Sequence, residues 1–429
     1  MGNTHPAPAG LLLAFAGLAS ALAAIAWPWL ALPAGLAAWG AAGLIWRRAT
    51  RASIVQASVL FLIGVAGGIW GIRHGVTPDI HRALTANMPL IGLLIGVSFL
   101  QLVAVPAGED RRDPPRGPGA FRSTGLGVHL FGAVINISAL FLVAERLRRH
   151  GPLGREQTIL LTRFFAAGCF WSPFFGSMGA ALAFAPHASL LHLVLIGVPL
   201  AAIAMLITWI GTGRHVDQSF IGYPPRYRYL RLPAMLAALV IGIHLWNSAL
   251  PILAVITLLA PAVTFLALLP QRRQGIPVLA AHVRNNLPRM ANELLLFLAA
   301  GVLAAGLAAI LATLGGWTLF AQFGALEAWL TTVTITAFAI IGVHPVIGVA
   351  TFGTMLAPLE PHHGLLAMSF LAAWTLGNTA GPLSGMNLAL QGRYGLNGLH
   401  TLRWNAGYTG LMLLLTAPAL WLAARLLNV

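Results

Sequence analysis

The sequence contains no lysine: all 25 basic residues are arginine, set against 10 acidic ones. Charged residues make up 8% of the 429, where a soluble domain carries about 25%. That scarcity excludes a soluble globular protein. Cys169 is the single cysteine, which excludes an intrachain disulfide and a cysteine-based metal cluster. No aspartate falls inside an apolar run, so a carboxylate relay across a membrane is not expected. There is no glycine-rich nucleotide loop and no Gly-x-Ser-x-Gly elbow. The chain is therefore not expected to be an enzyme or an ATP-driven pump, and no cofactor is expected.

What the sequence does contain is apolar length. Hydrophobic residues make up 58% of it and the mean hydropathy is +0.82. A helix needs about 20 apolar residues to cross a bilayer. Eleven runs qualify, at approximately 10–27, 29–46, 53–72, 88–106, 157–185, 189–211, 232–247, 249–270, 291–314, 365–391 and 405–426. The N-terminal run follows a stretch without Arg or Lys, and another apolar run comes directly after it. It reads as a first span rather than a signal peptide. Two further segments, 125–147 and 327–357, do not fit as simple crossings.

The arginines decide how to treat those two. If both are re-entrant hairpins, every loop arginine except Arg73, Arg82 and Arg425 falls on one side, and Arg163 lies inside a span. Making either hairpin a full crossing would put basic loops on both faces. The arginine-rich side is cytoplasmic, so the expectation is a bacterial inner-membrane protein with its N-terminus inside and its C-terminus outside. On this reading the formal charge of +15 reflects topology and contact with anionic membrane lipids, not nucleic acid.

Residues 166–184, AAGCFWSPFFGSMGAALAF, and 372–390, AAWTLGNTAGPLSGMNLAL, share a layout. Both open on two alanines, break around a Ser/Asn, Pro and Gly cluster, and close on an apolar helix. An offset of about 207 also carries INIS at 135–138 onto GVHP at 342–345, the middles of the two hairpins. Each half then holds five spans and one hairpin. An odd number of crossings puts the halves in opposite orientations, an inverted repeat. The expected organisation is an extra first span at 1–28, a first repeat at 29–211, a cytoplasmic linker at 212–231 and a second repeat at 232–429. The fold class is all-α, polytopic, with two hairpins and two broken helices.

A helix broken at mid-membrane exposes unpaired N–H groups and a partial positive charge at one end and carbonyls at the other. Such backbone is tolerated only where protein or water covers it. The expected substrate-binding residues are Asn136, Ser138, Ser172 and Ser177 in the first half. In the second half they are His344, Asn378, Thr379, Ser384 and Asn387. Asn136, Asn378 and His344 are the expected ion-coupling residues, with Na⁺ or H⁺ as the coupling ion. The same small polar residues also suit helix packing. Arg163 sits about two turns into its span, where it either snorkels to the interface or pairs with substrate. Glu293 lies four residues after Arg289, a spacing that allows an ion pair. His129 reads as interfacial or packed.

This layout resembles the ion transporter superfamily of elevator-type carriers, which includes divalent anion/sodium symporters, arsenite permeases and the large subunits of TRAP transporters. The match is architectural and covers most of the chain. The symporters carry Ser-Asn-Thr at a hairpin tip and again at a helix break. Here Asn378-Thr379 follows Gly377 where serine is expected, and the first tip offers Asn136 and Ser138 without the full triplet. The resemblance implies a homodimer. In it, spans 88–106, 291–314 and their neighbours form a scaffold, while the hairpins, broken helices and sixth and eleventh spans move as a block. The expected function is a secondary active transporter of a small organic or inorganic anion. The alternatives are a membrane-embedded enzyme acting on a lipid-linked or phosphate-bearing substrate at Glu360, His362 and His363, or a channel or partner subunit.

Overall fold

The computed structural model describes residues 6–104, 114–223, 231–247 and 249–429. Arg111, Arg112, Arg226 and Arg228 of the basic loops, and residues 224–230 of the expected linker, lie outside them. Among the described residues the secondary structure is helical, apart from one isolated bridge between Arg116 and Ile221.

In chain order the helices are α1 (Pro6–Ile25), α2 (Ala31–Ile45), α3 (Arg51–Arg73), α4 (Ile80–Thr85), α5 (Met88–Ser98), α6 (Gln101–Ala104), α7 (Gly117–Ile135), α8 (Ile137–Arg148), α9 (Arg155–Ala166), α10 (Gly176–Phe184) and α11 (Leu190–Gly211). The second half holds α12 (Arg231–Trp246), α13 (Ile252–Leu268), α14 (Arg272–Ala281), α15 (Ala291–Thr313), α16 (Ala325–Ile340), α17 (Pro345–Leu356), α18 (His363–Ala380), α19 (Gly385–Tyr394) and α20 (Gly398–Leu426).

Seven of the described helical stretches are long and apolar enough to cross a membrane. The difference from eleven runs has physical causes. The runs at 157–185 and 365–391 are each cut in two by a break, and those at 232–247 and 249–270 form short apolar helices. The fold class is a polytopic all-α membrane protein.

Both expected hairpins are helix pairs. The first begins earlier than its apolar run, at Gly117, where Pro118 stands in the first turn without needing its missing N–H. Its arms meet at one residue, Asn136, with φ 54° and ψ −141°. In the second, α16 and α17 are joined by four residues, with Gly342 at φ 101°. Gly348 lies against Ile335, so the start of α17 runs back along α16. At 1.5 Å per residue the 16 residues of α16 rise about 24 Å, short of a bilayer core of about 30 Å.

The chain divides into two compact units, Met1–Val103 with Ala234–Ala321 and Val349–Glu360, and Ala104–Pro233 with Gln322–Gly348 and Pro361–Val429. Each draws on both halves of the sequence, so the units interleave the expected repeats.

In the first unit α3 and α15 cross backbone to backbone. A Cβ on Gly306 would fall 2.0 Å from the Gly64 carbonyl oxygen, and one on Gly67 would fall 2.7 Å from that of Gly306. Only glycine permits this approach, which is the small-residue mode of membrane helix packing. Asn87 Nδ2 donates to the Phe297 carbonyl at 2.7 Å and pins α15 to the turn before α5. A π-helical stretch, His282–Asn286, precedes α15. It and the 3₁₀ turn Leu287–Met290 shift the helical register. Arg289 and Glu293 accordingly form no ion pair.

The second unit is built around α18, in which every residue from Gly364 to Ala380 is buried. A helix buried on every face belongs at a centre. Here α16, α20, α10, α9 and α11 pack around it. This unit holds both hairpin tips, both helix breaks and the sixth and eleventh apolar runs.

Candidate functional site

Each break is closed by a serine. In the first, α9 tightens into a 3₁₀ turn (Ala167–Phe170) and the chain leaves helical geometry before Pro173. Ser177, in the first turn of α10, donates from Oγ to the Cys169 carbonyl at 3.1 Å. In the second, α18 ends at Ala380 and Pro382 forbids its continuation. Ser384 caps α19: its Oγ accepts from the Asn387 amide at 3.3 Å and donates to the Asn378 carbonyl at 2.9 Å. Cys169 stands four residues before Pro173, and Asn378 four before Pro382.

Asn387 completes the second break. Its Nδ2 reaches the carbonyls of Asn378 at 3.3 Å, Thr379 at 3.4 Å and Gly381 at 2.9 Å. The first two are orphan carbonyls at a helix C-terminus, the third also accepts from the Ser384 amide, and one side-chain amide gathers all three. Its Oδ1 is buried without a hydrogen-bond partner. The Thr379 hydroxyl donates to Thr375 within its own helix.

Each hairpin tip rests on the break of its own half. Ser172 Oγ donates to the Ala133 carbonyl, three residues before Asn136, and accepts from the Phe174 amide. Trp171 Nε1 donates to His129 Nε2 at 3.3 Å, so the His129 proton sits on Nδ1, which donates to the Phe164 carbonyl at 3.1 Å. His129 is thus a packed, neutral brace. In the second half, His344 is buried with Nδ1 accepting from the Val346 amide at 3.2 Å and its ring edge-on to Trp374, centroids 5.6 Å apart. A Cβ on Gly385, the first residue of α19, would lie 3.6 Å from His344 Nε2.

The two breaks meet. The helix that carries the second break, α18, packs on both α10 and the 3₁₀ turn before the first break. The structure therefore brings Ser172, Ser177, Asn378, Thr379, Ser384, Asn387 and His344 into one buried region of one unit. Asn136 and Ser138 sit at the first tip, half-buried.

Sequence reasoning gave Arg163 two roles and did not single out Asn405 or Tyr408. Arg163 does not snorkel; it is 7% exposed and turns inward to α20. Its Nε donates to Asn405 Oδ1 at 2.8 Å and an Nη to the Trp404 carbonyl at 2.7 Å. Asn405 Nδ2 donates to Thr162 Oγ1 and to the Thr379 carbonyl, both at 3.3 Å. A chain of bonds thus runs from Arg163 to the second break. Asn405 opens the last apolar run, where an amide reads as interfacial, and nothing in that run marks it as facing inward.

A cavity of about 380 Å³ opens at the foot of α9, lined by Gly154, Arg155, Glu156, Gln157, Gly211, Thr212 and His215. Burial, with the Asp217 carboxylate nearby, pushes the Glu156 carboxyl up against the opposing effect of Arg155. The Ser219 hydroxyl and amide hold Asp217 below its ordinary value. Charges of both signs meet there, away from the breaks.

His362 and His363 serve helix ends. His362 Nδ1 accepts from the Gly364 amide at 3.2 Å. His363 Nδ1 accepts from the His187 amide at 2.9 Å, with the two rings stacked. Among the described residues no group of three His, Cys, Asp or Glu is arranged to hold a metal ion.

No family model and no curated protein matches the chain. Among solved structures it is similar to the YdaH transporter of Alcanivorax borkumensis, whose topology is described as unusual. The two share 16% identity over 79% of this chain and 83% of that one, with a TM-score of 0.46. A likeness this distant assigns neither a family nor an activity.

Proposed function

We propose that the protein is a secondary active transporter that moves a small organic or inorganic anion across a bacterial inner membrane by alternating access. One observation carries the reading: within a single compact unit, two hairpin tips rest on two helix breaks, and α18, which bears the second break, packs on the elements flanking the first. Irregular backbone at membrane depth is expensive in lipid and is kept where a ligand must be held. The N-terminal ends of α10 and α19 supply N–H groups and partial positive charge for an anion.

Asn387 Oδ1 and the carbonyls of Asn378, Thr379 and Gly381 are oxygens of the kind that bind Na⁺; His344 is the residue that would couple to H⁺ instead. In this reading Asn136, Ser138, Asn378 and His344 face the ligand. Ser172, Ser177, Thr379, Ser384 and Asn387 hold the backbone that presents it. The second unit is the block that moves in an elevator cycle, and the unit containing the α3–α15 crossing is the scaffold, paired with a second copy in a homodimer. The basic loops face the cytoplasm, with the N-terminus inside and the C-terminus outside. The ion transporter superfamily is the family this arrangement fits.

The test is counterflow in proteoliposomes with labelled monocarboxylates, dicarboxylates, phosphate, sulfate and arsenite. A carrier accelerates exchange of its substrate against the same substrate inside. Substituting Asn378 or Asn136 is expected to abolish exchange without loss of expression. Normal transport by both variants together with inactivation by Glu360→Ala would place the function elsewhere.

A further inference from the structure

Among the described residues Arg163 is the one charged side chain in the buried class. A guanidinium presents five N–H donors. Nε donates to Asn405 Oδ1 and an Nη to the Trp404 carbonyl. Its third neighbour is the ring of Tyr408, 4.4 Å from the guanidinium carbon to the centroid. All three partners are neutral and all lie on α20. Neutral acceptors orient a guanidinium without cancelling its charge. A buried charge without an opposite charge is costly, and more so in a membrane protein. A mere clamp between α9 and α20 needs hydrogen-bond donors for these acceptors, but it has no need of a net charge.

A second observation lies beside the first. Tyr408 is 5% exposed, and its hydroxyl is buried with no hydrogen-bond partner. The unsatisfied hydroxyl and the uncompensated guanidinium are therefore on adjoining side chains. Asn405 ties the guanidinium to the Thr379 carbonyl at the second break.

Resting on the transporter reading, we propose that Arg163 and the Tyr408 hydroxyl form the recognition point for the carboxylate of a small monocarboxylate. Three properties select that class. A planar fork of N–H groups matches a carboxylate in the bidentate mode. One positive charge balances one negative charge. Phosphate carries between one and two negative charges at neutral pH and a dicarboxylate carries two, and no second buried cation stands among the described residues to meet the excess. The Tyr408 hydroxyl is a donor, as a carboxylate oxygen requires.

The test is thermal unfolding of the full chain in lipid nanodiscs at pH 7, with millimolar acetate, lactate, benzoate, succinate or phosphate at matched ionic strength. At least one of the three monocarboxylates is expected to raise the Tm, and succinate and phosphate are not. Arg163→Gln is expected to abolish the shift while its own Tm without ligand is no lower than wild type, because the substitution removes an uncompensated buried charge. Arg163→Lys keeps the charge and loses the fork, so its apparent affinity is expected to fall at least tenfold; it carries the same test if the glutamine variant does not fold. Tyr408→Phe is expected to weaken the shift several-fold.

A shift that survives Arg163→Gln overturns the assignment of Arg163, and a shift with succinate or phosphate instead overturns the monovalent class. In both cases counterflow in proteoliposomes leaves the carrier reading standing. No shift with any of the three monocarboxylates overturns the proposal outright. A lower Tm for Arg163→Gln together with no wild-type shift makes Arg163 a structural clamp. Absence of flux for every solute in the counterflow panel is the separate failure of the carrier reading.

Discussion

Ser177 and Ser384, about 207 residues apart in the chain, make the same bond: each donates its hydroxyl to a carbonyl on the far side of a helix break, at 3.1 Å and 2.9 Å. Each hydroxyl satisfies one orphan carbonyl and so fixes the angle at which the second half-helix leaves. Replacing either by alanine is expected to cost about 1 kcal/mol, the usual loss for a buried neutral hydrogen bond. Thermal unfolding in detergent measures it, and an unchanged Tm for Ser384→Ala would remove the brace from the account.

Asn387 carries a larger expected effect. Replacing its amide with a carboxylate, Asn387→Asp, would set a negative charge against the three carbonyls that Nδ2 now gathers. A cost of about 2–4 kcal/mol is expected, because an acceptor then faces acceptors in a buried site. Equal Tm values for the aspartate variant and wild type would contradict the geometry.

The single cysteine offers a direct readout of burial. Cys169 is buried and is expected to resist a membrane-permeant maleimide until the protein unfolds. In a Cys169→Ala background, a cysteine placed at Asn136 is expected to label readily, since that tip is only half-buried. Adding Ser172→Ala, which cuts the tie to Ala133, is expected to speed that labelling. Unchanged rates would show that the tip is held by something else.

The His187 amide reports on pH. Its N–H donates to His363 Nδ1, which must be unprotonated to accept. Burial, with His187 and His362 nearby, holds His363 below its ordinary value of 6.5. The folded-state value is the lower one, so the unfolded chain takes up the proton first. The contribution of His363 to stability is therefore present above about pH 6.5 and is lost as pH falls through the folded value. Hydrogen exchange at residue 187, corrected for intrinsic rate, is expected to rise on acidification, and His363→Gln is expected to flatten that response.

The crossing of α3 and α15 sets the last expectation. A methyl group on Gly306 would overlap the Gly64 carbonyl. Gly306→Ala is expected to destabilise by about 1–3 kcal/mol through overpacking, while Gly410→Ala, with open space around it, is expected to change little. Similar Tm losses for both would argue against a tight seam.

The breaks were legible in the sequence because proline and glycine interrupt helices by local chemistry, and Pro173 and Pro382 mark both. The hairpin tips were legible from the arginine count, since Asn136 and Gly342 fall where the runs fail to cross. The roles of the polar side chains were not legible. Whether Ser177 faces a ligand or the Cys169 carbonyl depends on the path of the chain through the break, which spacing does not encode. The direction of Arg163 depends on Asn405, 242 residues away, and no periodicity within α9 reveals that partner. The register shift at His282–Asn286 was equally hidden, and the expected pairing of Arg289 with Glu293 failed there because an i,i+4 argument assumes an unbroken α-helix.

The complete enclosure of α18 bears on how the protein is made. The ribosome delivers α9, α10, α11 and α16 before α18, and α20 after it. All five pack against it. Until α20 arrives, α18 has one flank with no protein to cover it, and Asn378 and Thr379 sit on a helix whose wall is unfinished. Maturation of the second unit therefore waits on α20, and truncations ahead of Gly398 are expected to leave a nascent product that membrane quality control can recognise and degrade.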